Sequence, residues 1–213
     1  MRQAIDQAAQ QYVVIEELQE AVGERLGELM GAEYGLVTNG CGAALVLTTA
    51  ACVAGEDPEK MKLLPDASSL KNEVIIGAAH RVGYDRLVRA VGIRFVEVET
   101  PQQLEQAFNE RTAMIFCFGD CTGVSAPGRG EISFEQFVTA GKAHGVPVFV
   151  DAAAERPNAP NVYIQAGADA VAYSGGKCLR GPQASGMLLG RRDLLHAAYM
   201  NGAPNANLGR SMK

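Results

Sequence analysis

Several features that mark large classes of protein are missing from this chain. No apolar run approaches the roughly 20 residues of a membrane span. The first residues, Met1-Arg-Gln-Ala-Ile-Asp6, lack the basic-then-apolar order of a secretion signal. A soluble, cytoplasmic protein is the expectation. The five cysteines, Cys41, Cys52, Cys117, Cys121 and Cys178, contain no C-x-x-C pair. Their odd number and mostly apolar neighbours support neither a disulfide framework nor a zinc site. They are expected to be reduced, small residues in or near the core, and no metal is expected. Positive charge is also sparse, with a net charge of -5. The densest basic pairs, Arg86/Arg89 and Arg191/Arg192, are expected on solvated helix faces, so general nucleic-acid binding is disfavoured. There is no internal repeat.

What is present is the composition of a folding domain: 213 residues, 47% hydrophobic and 20% charged. One large domain follows. Residues 5–30 are rich in helix formers, with apolar residues at Val14, Leu18, Val22, Leu26 and Leu29. That spacing predicts one long amphipathic helix ending at Gly31. Beyond it, β-type runs at 34–37, 73–76, 94–98, 113–118, 147–150, 170–173 and 187–189 alternate with helical patterns. The helical patterns are at 43–54, 84–90, 102–108, 134–144 and 193–199. Apolar strands alternating with helices predict an α/β domain, a mostly parallel sheet layered between helices. Residues 65–72, 123–131 and 201–213 have loop composition.

Ligands of such sheets gather beyond the carboxyl ends of the strands, so the residues that follow strands carry the functional information. Asp151 ends the apolar run 147–150. A carboxylate delivered there needs a positive partner, such as a protonated pyridine nitrogen, though a metal ligand or a helix N-cap would use the same residue. Ser174-Gly-Gly-Lys177 follows the next strand, and its two glycines let a hydroxyl and an ammonium converge on one small molecule. An exposed turn with a solvated lysine is the plainer alternative. Apolar Leu179 and Pro182 and the re-entry at Ser185 predict a partly buried lysine, whose lowered pKa favours the free amine needed for imine formation.

Thr38-Asn39-Gly40-Cys41-Gly42 joins a strand to a helix, a turn that offers free N–H groups to a phosphate. Leu45 stands where a dinucleotide fingerprint needs its third glycine, so a single phosphate is preferred. His80, shortly after residues 73–76, could lie flat on a cofactor ring or be a structural core residue. His144 and His196 fall in helical stretches and receive no role.

Together these residues resemble the fold-type-I pyridoxal-phosphate enzymes. Three stretches carry the likeness to their selenocysteine synthase-like branch: Val150-Asp-Ala-Ala-Ala-Glu155, Gly167-Ala-Asp-Ala-Val171 and Ser174-Gly-Gly-Lys-Cys-Leu-Arg-Gly-Pro-Gln183. The stretches 33–44 and 77–85 extend it. The resemblance implies an aminotransferase-like large domain over 32–200, preceded by the helix of 1–31. Residues 201–213 would begin a connection to a small C-terminal domain missing from this chain. It also implies pyridoxal 5'-phosphate as cofactor, held by Lys177 as a Schiff base, with Asp151 on the pyridinium nitrogen. Ser174 and the turn of Asn39, Gly40, Cys41 and Gly42 would hold the phosphate, and His80 would stack on the ring. Thr122 and Asp120 would meet the ring's phenolic oxygen or the substrate. Arg81, Arg129, Arg180 and Arg210 are the available forks for a substrate carboxylate or phosphate, with Arg180 nearest Lys177 and Arg210 in the tail.

The implied chemistry is α,β-elimination that releases ammonia from a small β-hydroxy amino acid or amino-sugar acid, D-glucosaminate 6-phosphate being the specific case. Selenium transfer onto seryl-tRNA is the alternative within the branch, and a non-catalytic remnant of the fold is a third reading. Fold-type-I sites are completed across subunits, so a homo-oligomer, at least a dimer, is expected.

Overall fold

Seven runs of aliphatic and aromatic residues form one sheet: β1 (Tyr34–Thr38), β2 (Glu73–Gly77), β3 (Arg94–Val98), β4 (Thr112–Phe118), β5 (Val148–Asp151), β6 (Ala170–Ser174) and β7 (Gly186–Gly190). In this computed structural model residues 2–119 and 130–211 are described. The strand order is β1-β7-β6-β5-β4-β2-β3. Every pairing is parallel except those of β7, which runs antiparallel to both β6 and β1. The expected mostly parallel sheet is therefore observed, and each expected strand lies within a residue or two of its place.

Helices cover both faces. They are α1 (Arg2–Ala8), α2 (Ile15–Met30), α3 (Gly40–Ala54), α4 (Pro58–Leu63), α5 (Arg86–Arg89), α6 (Pro101–Ala107), α7 (Phe134–His144), α8 (Val162–Gln165) and α9 (Arg192–Met200). One core cluster joins α3, α5 and α9 to the sheet through Leu45, Leu47, Val88, Phe116, Phe149 and Leu195. The other joins α6 and α7 to the opposite face through Leu104, Phe137, Val138, Ile115, Val150 and Val171. Helix α3 is apolar all round and buried along nearly its whole length, as a helix enclosed by sheet and helices must be. Thr100 and Ser133 begin α6 and α7 with reciprocal capping boxes to Gln103 and Gln136.

The long helix expected over 5–30 is instead two helices, with residues 9–14 outside either. The cause is the absence of a packing partner: α1 buries no residue, and the β-branched run Val13-Val14-Ile15 is exposed. Nor does the apolar stripe make the tightest contact of α2. Its buried residues are Gly23 and Gly27, and a Cβ at Gly23 would lie 2.1 Å from Cζ of Tyr34. Among the described cysteines Cys41 and Cys117 are buried, but Cys178 is exposed, contrary to the expectation of a core residue. Burial raises the thiols of Cys41 and Cys117 and pushes that of Cys52 up to about 12, which keeps them protonated. Among the described residues, no helix is long and apolar enough to cross a membrane.

Candidate active site

The parallel strands end on one edge, and there the chain places its polar residues. Because β7 is antiparallel, its first residue, Gly186, reaches the same edge and abuts the start of α3. A Cβ at Gly186 would be 2.5 Å from the carbonyl carbon of Gly40. Thr38 Oγ1 donates to the Gly40 carbonyl at 2.9 Å, and Gly40 adopts φ +82°, which an L side chain rarely tolerates. Asn39 is the N-cap of α3, yet its side chain makes no capping bond. The first N–H groups of the helix are thus not taken by that side chain, as an anion site requires.

Asp151 closes β5 between β4 and β6, in register with Phe118 and Ala172, and is only 2% exposed. The Ala153 N–H donates to Oδ1 at 3.0 Å and the Cys41 thiol donates to the same oxygen at 3.3 Å. Burial raises the Asp151 carboxyl above the ordinary carboxylate range, against those two bonds and the charge of Lys177, which lower it. A buried carboxylate so disfavoured is a ready partner for a fixed cation.

Lys177 follows β6 by three residues. It is exposed, which overturns the expected partial burial. Its Nζ lies 5.7 Å from the ring centroid of Tyr84, a residue that reading the sequence did not single out although it lies in the stretch 77–85. The loop around the lysine is held by backbone bonds: Gly175 N to Ser185 O, Gly181 N to Gly175 O and Arg180 N to Lys177 O. Neither Gly175 nor Gly176 has room for a Cβ, which would approach Ser185 Oγ to 2.0 Å or Gln183 Oε1 to 2.5 Å. Ser174 ends β6 half-buried, its N–H on the Ala153 carbonyl at 3.2 Å, so the aspartate and lysine loops are tied together.

His80 is buried beside the end of β4. Nδ1 lies 2.9 Å from the Phe118 nitrogen and 3.2 Å from its carbonyl oxygen, and Phe137 packs edge-on against the ring. Of the arginine forks, Arg81 is committed to Asp85 and Glu97 and lies over Phe95. Arg210 donates to the carbonyls of Pro204 and Asn205 in its own loop. Arg180 is exposed in a left-handed conformation, φ 53°. Asp120, Thr122 and Arg129 lie outside the described residues.

A buried polar group beneath the Asp151 loop also escaped the sequence reading. Tyr163 Oη donates to Glu155 Oε1 at 2.6 Å, and Asn161 Nδ2 donates to Tyr173 Oη at 2.8 Å. Only the short spacing of Glu155 from Asp151 hinted at it.

The strand order, the single antiparallel strand and a lysine and an aspartate at the ends of adjacent strands define the large domain of a fold-type-I pyridoxal-phosphate enzyme. The family model described as SelA, L-seryl-tRNA selenium transferase, matches residues 15–204, and the chain belongs to that family. It is 34% identical to the 5'-C-glycyluridine monooxygenase-decarboxylase of Streptomyces sp over 99% of its length and 53% of that protein's. Identity is also 34% to the D-glucosaminate-6-phosphate ammonia lyase of Salmonella typhimurium, over 99% of this chain and 57% of the lyase. A solved structure of a D-glucosaminate-6-phosphate ammonia-lyase superposes with a TM-score of 0.84 at 33% identity, covering 93% of this chain and 55% of that one. The chain spans about half the length of the curated relatives it matches.

Proposed function

We propose that the chain is the cofactor-bearing part of a pyridoxal-phosphate-dependent lyase that releases ammonia from a small β-hydroxy amino acid or amino-sugar acid, such as D-glucosaminate 6-phosphate. The observation that carries this reading is the delivery of Asp151 and Lys177 by neighbouring strands to the edge where α3 begins. The residues fit the cofactor. Asp151 is a buried carboxyl that gains from a cationic partner, the start of α3 is not capped by Asn39, and a Cβ built on Gly40 meets nothing within 4 Å.

Lys177 would hold the cofactor covalently through Nζ, Asp151 would keep its ring nitrogen protonated, and the turn 39–42 with Ser174 would bind its phosphate. When bound, the group withdraws electrons from the substrate's α-carbon. The amine of Lys177, when not holding the cofactor, would be the general base placed to take the substrate's α-proton. Overall the substrate would lose its α-proton and β-hydroxyl as one water and take up one water, giving a keto acid and ammonia. His80, fixed by Phe118 and Phe137, supplies a flat surface for the ring, and Arg180 is the arginine for the substrate's anionic group. The oligomer, at least a dimer, is part of the same reading.

Titrating pyridoxal phosphate into the purified protein tests the reading. A band near the visible edge is expected, absent in Lys177→Ala; no band in the unsubstituted protein refutes it. Turnover of β-hydroxy amino acids and phosphorylated amino-sugar acids then identifies the substrate. The family model favours one second reading, transfer of selenium to seryl-tRNA. Retention of seryl-tRNA on filters at low salt would support that reading, and its absence would leave the lyase.

A further inference from the structure

The turn that opens α3 was expected to serve the phosphate alone, but its one side chain with a thiol points elsewhere. Cys41 is 7% exposed and Asp151 2%, and they meet at 3.3 Å although 110 residues separate them. We propose that Cys41 is a positioning residue for Asp151: its thiol fixes Oδ1, so that Oδ2 is the oxygen left for the cofactor's ring nitrogen. The inference rests on the cofactor reading above.

Three observations carry it. First, the thiol is the donor of the bond: Sγ lies 3.3 Å from Oδ1, and burial keeps the thiol protonated. Second, the Ala153 N–H reaches the same oxygen at 3.0 Å, so two donors from different elements converge on Oδ1 and neither takes Oδ2. Two donors on one oxygen fix the rotation of the carboxyl plane, which one bond alone does not. Third, Cys41 is covalently part of the turn anchored by Thr38 and Gly186, so the phosphate end and the ring-nitrogen end of the site share one rigid element. A displacement at either end is passed to the other through a single residue.

The role calls for a donor of small size at position 41. Serine keeps the donor with a shorter reach; alanine removes the donor together with the volume of Sγ. The test uses the full chain in two measurements. In the first, unfolding equilibrium constants without cofactor are compared for Cys41→Ala in the unsubstituted and Asp151→Ala backgrounds. A loss of about tenfold is expected in the former and little in the latter. Equal losses in both overturn the pairing. In the second, the dissociation constant for pyridoxal phosphate is read from the visible band. Cys41→Ala is expected to weaken binding about tenfold and shift the band, and Cys41→Ser to restore both to within about twofold. Cys41→Val, which fills the space but has no donor, is expected to be as impaired as the alanine variant; a valine variant that matches serine, or a serine variant as impaired as alanine, overturns the positioning role. If the unsubstituted protein gives no band, the cofactor reading fails and the assignment of Oδ2 fails with it. The first measurement reports the Cys41–Asp151 pair separately in that case.

Discussion

Asp151 ends one parallel strand and Lys177 follows the end of its neighbour, yet one is sealed in the protein and the other is open to solvent. The aspartate ends a strand between two others and lies beneath the first turn of α3, where its charge is costly without a cation. The lysine stands three residues beyond its strand, on a loop whose backbone is fixed by its own hydrogen bonds while the lysine side chain is exposed. A preorganised electrostatic half and an accessible covalent half are the division of labour such a site needs, since the buried group must not move and the lysine must exchange one amine for another.

The comparison can be broken first at the backbone of the lysine loop. Gly175→Ala places a Cβ 2.0 Å from Ser185 Oγ and 2.8 Å from the Ser185 carbonyl oxygen. We expect a loss of about 1–3 kcal/mol in denaturant unfolding, together with a weakened visible band. Lys177→Ala in the same assay is expected to change stability by less than about 0.5 kcal/mol, because an exposed side chain contributes little. An equally destabilised Lys177→Ala would show that the loop depends on the lysine itself.

The buried half predicts a pH effect of definite sign. The folded-state pKa of Asp151 is raised, chiefly by burial, so the folded state binds the proton more tightly than the unfolded one. Its contribution to stability is fully present below the ordinary carboxylate range, near 3.9, and is lost as pH rises through the raised value. Asp151→Asn should therefore flatten this fall and raise the stability of the cofactor-free chain at neutral pH by about 1 kcal/mol, while weakening pyridoxal phosphate binding. Denaturant midpoints measured from pH 4 to 8 check both the slope and its loss. A further effect belongs to Arg180, a non-glycine residue at φ 53°. Arg180→Gly relieves the left-handed strain and should stabilise the chain by about 1 kcal/mol, while raising KM for an anionic substrate. Destabilisation by this substitution would show that the guanidinium supports the loop.

Strands and the residues after them were legible in the sequence because a buried parallel strand must be apolar and its end must turn. The same logic located Asp151, Ser174, Lys177 and the turn before α3. It failed for residues 5–30, where a helical apolar spacing led to two helices whose stripe is exposed at Val14, Leu18 and Leu29 and packed at Leu26, since periodicity states which face could be buried and nothing about what buries it. Gly23 and Gly27 make the contact with Tyr34 and Glu33 that the larger side chains were expected to make. The Cys41–Asp151 bond was equally illegible, because no local rule joins two residues on different elements.

Sequence alone determined the class of domain, the strands that deliver the site and the chemical character of the lysine and the aspartate, because local periodicity, turn glycines and side-chain type are properties of short segments. Tertiary structure alone decided that Asp151 is buried and Lys177 exposed, that Cys41 donates to the aspartate and that Arg81 is committed to Asp85 and Glu97. Burial and pairing depend on which segments pack against one another, and in this sheet those segments come from opposite ends of the chain.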